Sequence, residues 1–269
     1  MKLVAIGDIH GRDYWKQIIE QEQDADVFVF VGDYFDSFTI KGPDQINNFL
    51  DIVEFKKQSK VPVILLIGNH DYHYYPGIDD TSTSGYQTLM APSIKHVVSE
   101  NQTYLQLAYQ MGEFLFSHAG FSSEWLDDTI VGWDIDSLAA TANDLFRFQP
   151  YKIAYRSFKY YDYENNIATL SSGYGDEPYQ SPIWIRPKAL MAANKSTQNG
   201  KLTNKETLKN HIIQVVGHTP QETIDIKGKS TGGRYYFIDT LEYGQNQYLV
   251  VKDGVVSLGE LNNKNEKIN

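Results

Sequence analysis

The chain has 269 residues, of which 41% are hydrophobic and 22% are charged, a composition typical of a globular protein and not of a disordered one. Its formal net charge of −10 argues against broad electrostatic binding to nucleic acid or to an anionic membrane. There is no cysteine, which excludes disulfides, thiolate metal sites and a cysteine nucleophile.

The first residues give no sign of a targeting segment. Only five apolar residues precede the charge at Asp8, fewer than a secretory signal contains. No stretch approaches the ~20 apolar residues of a membrane-spanning helix. We therefore expect a cytoplasmic protein that has neither nucleic acid nor a membrane among its partners.

The first 70 residues alternate short apolar runs with longer amphipathic stretches. This pattern predicts strands at 3–6, 27–31 and 63–67, and helices at 13–23 and 43–57. Continuous apolar strands that alternate with helices indicate βαβ units and a buried parallel sheet. Each of the three strands is followed by glycine and then by Asp or Asn.

A second set of apolar runs follows later in the chain. These runs predict strands at 114–116 and 212–216. They also predict a closing antiparallel meander, with Asp253-Gly254 as a hairpin turn, over residues 235–238, 248–251 and 255–258.

The remaining pattern sets the expected domain organisation. Residues 1–260 are predicted to form a single domain, with an irregular insertion over the site at roughly 121–211. Within the insertion we expect helices at 137–148 and 187–194. The last residues, 261–269, are predicted to be a polar tail.

Five short polar segments carry the chemistry, and each follows a predicted strand. They are Gly7-Asp8-Ile9-His10-Gly11, Gly32-Asp33-Tyr34-Phe35-Asp36, Gly68-Asn69-His70-Asp71, Ser117-His118-Ala119-Gly120 and Gly217-His218-Thr219-Pro220. Because ligands gather outside the carboxyl ends of strands in open α/β sheets, we expect these side chains to converge on one rim. Carboxylates, imidazoles and an amide oxygen together suit manganese, iron or zinc better than calcium. Two ions ~3.5–4 Å apart can activate water and hold phosphoryl oxygens, so that no protein nucleophile is needed.

These segments resemble those of the calcineurin-like metallophosphoesterases, and within that superfamily the branch of phosphoprotein phosphatases and diadenosine tetraphosphatases. The resemblance implies an α/β fold, a four-layer α/β/β/α sandwich with two divalent metal ions at its rim. It also implies six metal ligands: Asp8 and His10 on the first metal, Asp33 as the bridge, and Asn69, His118 and His218 on the second.

The same resemblance implies three residues that act on the substrate. His70 is expected to be the general acid, and Asp36 stands at the position that orients it. The segment Ile183-Trp184-Ile185-Arg186 resembles the one that supplies a phosphate-binding arginine, so Arg186 is the candidate clamp. Pro220 stands where many superfamily members have a further metal-binding histidine, which agrees with this branch.

One position departs from the branch. Its members usually have a second phosphate-binding arginine directly after the residue that matches Asp36, and this chain has Ser37 there. The loss of a bidentate phosphate contact counts against protein-phosphatase activity. Arg12, Arg147 and Arg156 are the candidates to replace it.

We expect a metal-dependent phosphatase that acts on phosphomonoesters, with phosphoserine or phosphothreonine in proteins among the candidate substrates. The alternative is a hydrolase of diadenosine tetraphosphate or a related nucleotide anhydride. A small-molecule phosphate ester is a further possible substrate. A non-catalytic binding scaffold on the same fold ranks below these, because it predicts eroded ligands and the expected ligands are all present. A metallonuclease is also disfavoured by the acidic charge and by Pro220.

Three smaller features near His70 have two interpretations each. Asp71 either tunes His70 or caps the adjacent turn. The tyrosines Tyr72, Tyr74 and Tyr75 either stack a nucleobase or pack internally, and packing is favoured. His73 is interpreted as a bystander, since the ligand set is complete without it.

Overall fold

The computed structural model describes the chain except residues 82–83, 155–158, 163–166, 171–174, 194–207, 209–211, 228–233, 242–245 and 262–269. Of the predicted tail, only Leu261 is described. Its side chain is buried and its N–H donates to the carbonyl of Asn246. The tail that follows it stays a prediction.

The strands of the described residues are numbered β1 to β13 in chain order. They are Lys2–Ile6, Val27–Phe30, Val63–Leu66, Leu105–Gln106, Ala108–Met111, Phe114–Ser117, Lys159–Asp162, Ile167–Leu170, Ile213–Val216, Asp225–Lys227, Arg234–Phe237, Gln247–Lys252 and Val255–Glu260. The helices α1 to α7 are Tyr14–Gln21, Gly42–Gln58, Asn69–Tyr72, Ala91–Asn101, Ser123–Thr129, Leu138–Phe148 and Pro187–Ala193.

Two sheets form the centre of the fold. The first has the order β13-β12-β1-β2-β3-β4, and β1 to β4 run parallel to one another. The second has the order β10-β11-β9-β6-β5, in which β9 is parallel to both β6 and β11. The strands β7 and β8 pair separately as a hairpin.

Successive side chains of each strand point to opposite faces of its sheet, and this creates the apolar layers of the fold. In β1, Leu3 and Ala5 face the second sheet, whereas Val4 and Ile6 belong to the core under the helices. The same alternation in β2 and β9 builds one apolar layer between the sheets and one on each outer face. The outer face of the second sheet is covered by α7 through Leu190. The predicted α/β/β/α sandwich is therefore confirmed.

The helices follow from local sequence signals. In α2, Pro43 stands in the first turn, where no backbone N–H is needed. Asp44 lies in that turn and Lys56 and Lys57 in the last one, so the charges oppose the helix dipole at both ends. Among the described residues, no helix combines the length and the apolar character needed to cross a membrane.

Most of the predicted elements are found within a residue or two of their expected ends. The predicted closing meander is wrong in one respect. The strand β11 pairs with β9 and β10 in the second sheet, while β12 and β13 form a hairpin on the first sheet. The hairpin turns at Asp253-Gly254 as expected, with φ of 50° and 79°. The helices α4 and α5 and the strands β4, β5 and β10 are not among the predicted elements, although Ile94, Val97 and Val98 of α4 recur at helical spacing.

Candidate metal centre

The five polar segments meet at one rim of the sandwich. Three of them follow β1, β2 and β3 of the first sheet, and two follow β6 and β9 of the second. Because the two sheets face each other, the carboxyl ends of these five strands bring together side chains up to 210 residues apart in sequence. The convergence predicted from the sequence is present.

The shared carboxylate lies at the centre of the cluster. Donor atoms of Asp8, Asp33 and His118 all lie within 4.8 Å of one another, and all three side chains are buried. Asp33 Oδ2 is 3.4 Å from His118 Nε2 and 3.7 Å from His10 Nε2. Asp33 therefore stands between the two predicted ligand groups.

The second predicted group meets at an amide oxygen. Asn69 Oδ1 lies 2.9 Å from His118 Nε2 and 2.8 Å from His218 Nδ1. One oxygen and two imidazole nitrogens thus point at a common space, which suits a transition metal such as manganese, iron or zinc.

Backbone carbonyls fix which nitrogen of each imidazole faces the cluster. Phe35 O lies 2.6 Å from His10 Nδ1, and Val31 O lies 2.9 Å from His118 Nδ1. For His218 the arrangement is reversed, because Trp184 O lies 3.0 Å from its Nε2. Each carbonyl accepts the ring N–H and leaves the other nitrogen with its lone pair towards the cluster, which is the arrangement that supports metal-binding histidines in general. These residues therefore fit two divalent cations.

The backbone at the site is strained. His10, Asp33, Asp36 and His218 have positive φ of 42°, 53°, 63° and 67°. Residues other than glycine rarely adopt this conformation and need surrounding contacts to hold it. Strain at four of the predicted site residues is characteristic of a functional centre.

Asp71 ties the loops of the site together. Its carboxylate accepts hydrogen bonds from the backbone N–H groups of Asp33, Tyr34 and Gly68 at 2.8, 2.7 and 2.9 Å. It thus caps the start of α3 and locks the loop that carries Asp33, which supports the capping interpretation. Its charge also contributes, after those of Asp33 and Asp36, to raising the pKa of His70. Burial and the charge of Asp33 raise the pKa of Asp71 to about 8.

Burial and mutual repulsion dominate the electrostatics of the carboxylates. Burial, then the charges of Asp239 and Asp33, raise the pKa of Asp8 well above its usual value. Burial also acts on Asp33, but the neighbouring His118 and His70 outweigh it and hold its pKa well below the usual value. Bound divalent cations would favour the ionised form of both carboxylates.

His70 lies beside the cluster and is held by Asp36. Its Nδ1 is 3.1 Å from Asp36 Oδ2, and its ring packs edge-on against His10 with centroids 5.3 Å apart. Burial lowers the pKa of His70, but the charges of Asp33 and Asp36 outweigh it and raise the pKa to about 9. The second ring nitrogen, Nε2, is therefore the atom with which His70 can donate a proton.

Arg186 reaches the same rim. Its Nη1 donates to Thr219 Oγ1 at 3.2 Å and lies 3.4 Å from the carbonyl of His218. Ser37, at the position of the missing arginine, is occupied in a local turn in which its Oγ accepts from Ile40 N at 3.1 Å. Arg156, one of the candidate replacements, lies outside the described residues.

Burial decides between the two interpretations of the tyrosines near His70. Tyr72, Tyr74 and Tyr75 are 1%, 0% and 8% exposed, so they pack internally and offer no face to a nucleobase. His73 is also buried, and its Nε2 lies 2.7 Å from Asp36 Oδ2. No sequence pattern predicts this contact, because it depends on where the loop after β2 lies relative to α3.

The chain was compared with known proteins. A family model described as calcineurin-like phosphoesterase matches residues 1–243. A comparison with curated proteins gives no match.

Two solved structures illustrate the structural similarity. The cold-active protein-tyrosine phosphatase of a psychrophilic Shewanella species is 15% identical with a TM-score of 0.58, over 97% of this chain and 80% of the other. A protein serine/threonine phosphatase from Saccharomyces cerevisiae is 11% identical with a TM-score of 0.51, over 97% of this chain and 79% of the other. At these identities the similarity shows the fold alone.

Proposed function

The chain belongs to the calcineurin-like phosphoesterase family, and we propose that it is a two-metal phosphatase that releases inorganic phosphate from phosphomonoesters. One observation carries this proposal. The donor atoms of the predicted ligands converge at one buried rim, and a histidine outside that set lies beside them with its own carboxylate partner.

We propose that Asp8 and His10 hold one divalent cation and that Asp33 is shared with a second. Asn69, His118 and His218 complete the second site. Manganese is our first choice, with iron or zinc as alternatives, because the donors mix oxygen and nitrogen. When bound, the pair would lower the pKa of a water molecule and offset the negative charge of the phosphoryl oxygens.

The chain's own residues handle the leaving group. The oxygen of a water molecule forms the new bond to phosphorus and loses a proton to solvent. As the bond from phosphorus to the leaving oxygen breaks, the electron pair goes to that oxygen, which takes the proton from His70 Nε2. Asp36 holds the opposite nitrogen at 3.1 Å, which fixes the ring and favours its protonated form before the transfer. His70 is then neutral and must regain a proton from solvent.

Arg186 is the proposed phosphate clamp. Its bond to Thr219 and its position beside His218 hold the guanidinium at the rim and not in bulk solvent. A guanidinium can bind two phosphoryl oxygens at once. Position 37 is a serine and not a second arginine. Phosphate binding therefore depends more on the metal ions and on Arg186 than it does in the family branch that the sequence resembles.

The burial of the tyrosines favours a monoester over a dinucleotide. Tyr72, Tyr74 and Tyr75 were the candidates to stack an adenine, and none of the three presents an open ring. The alternative, hydrolysis of diadenosine tetraphosphate, uses the same metals and stays the competing hypothesis.

A side-by-side rate measurement tests the proposal. Protein loaded with manganese is given phenyl phosphate, a phosphothreonine peptide and diadenosine tetraphosphate at equal concentration, with His70→Asn as the control. We expect release of inorganic phosphate from the monoesters to be fastest. A clear preference for the dinucleotide would contradict the monoester proposal and leave the metal centre intact. Protein that folds normally but never retains metal would support the scaffold alternative.

A further inference from the structure

A second histidine contacts the carboxylate that holds His70. Asp36 and His73 are each 1% exposed, and His73 Nε2 lies 2.7 Å from Asp36 Oδ2. This is the same oxygen that lies 3.1 Å from His70 Nδ1. A nitrogen and an oxygen this close attract only with a proton between them, because two lone pairs repel. Within the described residues neither ring nitrogen of His73 has an aligned hydrogen-bond partner, so the polar contact of His73 is the short distance from its Nε2 to the Asp36 carboxylate.

Aromatic packing holds His73 in this position. The ring of Tyr74 lies 4.3 Å from it and the ring of Tyr86 5.1 Å from it, both nearly perpendicular. Tyr74 and Tyr86 in turn stack on each other with centroids 5.2 Å apart. A buried imidazole enclosed in this way has little freedom to turn away from Asp36.

The other oxygen of Asp36 is held as well. Tyr74 Oη donates to Asp36 Oδ1 at 2.6 Å, and Gln87 Nε2 donates to it at 3.3 Å. Asp36 has a φ of 63°, a conformation that costs free energy in a residue other than glycine. The contacts to both oxygens therefore offset backbone strain and fix the carboxylate that orients His70.

We propose that His73 is a positioning residue that acts through Asp36 on His70. The proposal rests on the proposed function, in which His70 donates the proton to the leaving oxygen. Three groups form a line: His73 fixes Oδ2 of Asp36, Asp36 fixes Nδ1 of His70, and His70 directs Nε2 towards the substrate. His73 touches neither the substrate nor the proposed metal ligands.

Leaving-group dependence separates this role from a structural one. Phenyl phosphate expels a strongly basic phenolate that needs a proton, whereas p-nitrophenyl phosphate expels a weak base that needs little help. For His73→Phe, which keeps a buried ring but removes the N–H, we expect kcat on phenyl phosphate to fall by about 10-fold to 100-fold, the usual effect of losing an outer-shell partner. The loss on p-nitrophenyl phosphate should be several-fold smaller, with KM and metal content close to wild type.

Two further variants control for packing. His73→Gln places an amide N–H near the position of Nε2 and should recover most of the lost rate on phenyl phosphate. His96→Gln changes an exposed histidine of α4 and should behave as wild type. Equal losses on the two substrates, or no rescue by glutamine, would overturn the proposal in favour of a packing role.

A spectroscopic measurement keeps the test independent of turnover. In the full-length protein, the ring N–H of His70 bonded to Asp36 should give a downfield proton NMR signal, assigned by its absence in His70→Asn. We expect this signal in wild type and in His73→Gln, and its loss or broadening in His73→Phe. An unchanged signal in His73→Phe refutes the positioning role even if no tested monoester is hydrolysed. If the signal is lost while wild type hydrolyses neither substrate, the positioning holds and the proposed function fails.

Discussion

Replacing Gly68 with alanine tests how tightly the candidate metal centre is packed. A Cβ at this position would lie 2.5 Å from Asp33 N and 2.8 Å from Asp33 Cγ, and closer still to Asp33 Oδ1. The φ of Gly68 is −99°, so alanine brings no backbone strain of its own and the effect is purely steric. Gly68→Ala therefore pushes directly on the carboxylate that is proposed to bridge the metals.

The size of the effect follows from these distances. To restore ordinary contact the two groups must separate by about 1 Å. Asp33 Oδ1 accepts from the backbone N–H of His70 at 2.9 Å, so this movement would also break the hydrogen bond that ties Asp33 to the start of α3. A misplacement of about 1 Å in an active site can cost ~10²-fold in rate. Overpacking a well-packed interior typically lowers the free energy of unfolding by about 1–3 kcal/mol.

The assay combines metal content with turnover. Gly68→Ala, loaded with manganese and desalted, should retain fewer than two metals per chain by elemental analysis, and its kcat on phenyl phosphate should fall about 100-fold. Gly77→Ala is the matched control, because a Cβ there meets nothing within 4 Å although its φ is +81°. Two tightly held metals and wild-type turnover in Gly68→Ala would refute the close packing of Asp33 against this glycine.

The other predictions concern single groups of the site. His70→Asn should leave metal content unchanged and lower turnover by ~10²–10⁴-fold, the usual range for a general acid; wild-type turnover would contradict its role. Asp33→Asn should lose metal, measured by elemental analysis after dialysis, because it removes charge from the bridge; full occupancy would count against bridging. Arg186→Lys should raise KM for phosphomonoesters through loss of the bidentate contact, and an unchanged KM would remove it from phosphate binding. In the metal-free protein, the pKa of His70 is about 9 because the charges of Asp33 and Asp36 outweigh burial, against 6.5 for an ordinary histidine. The stabilisation from its protonation is thus complete below pH 6.5 and lost as the pH rises through 9. In chelator, the free energy of unfolding from urea titrations should fall by up to about 3 kcal/mol over this range, and by less in His70→Asn; equal slopes would show that other groups carry the dependence.

The main lines of the fold follow from local patterns in the sequence. Apolar runs of strand length that alternate with amphipathic helices predict buried parallel strands, because a strand covered on both faces has no polar side. Glycine followed by a polar residue at the end of each run then places Asp8, Asp33 and Asn69 at a common edge. These are local patterns, and they suffice for the layers, the rim and the family resemblance.

The contacts that hold the site residues in place could not be predicted from the sequence, because they form between segments that are distant along the chain. The ring nitrogens that face the candidate metal centre are selected by the carbonyls of Val31, Phe35 and Trp184, which have no side-chain signature in the sequence. The sequence also does not show that β11 belongs to the second sheet, because an apolar run of strand length is compatible with either a parallel or an antiparallel neighbour.

The same limit applies around His70. The contact between His73 and Asp36 joins two loops 37 residues apart in sequence, and it exists because β2 and β3 are adjacent and end at the same edge. The burial of Tyr74 depends on its stacking with Tyr86. Hydrophobic periodicity in the sequence shows which face of a helix or strand is buried. Contacts between loops depend instead on the relative positions of distant segments, and these are set only when the whole sandwich is packed.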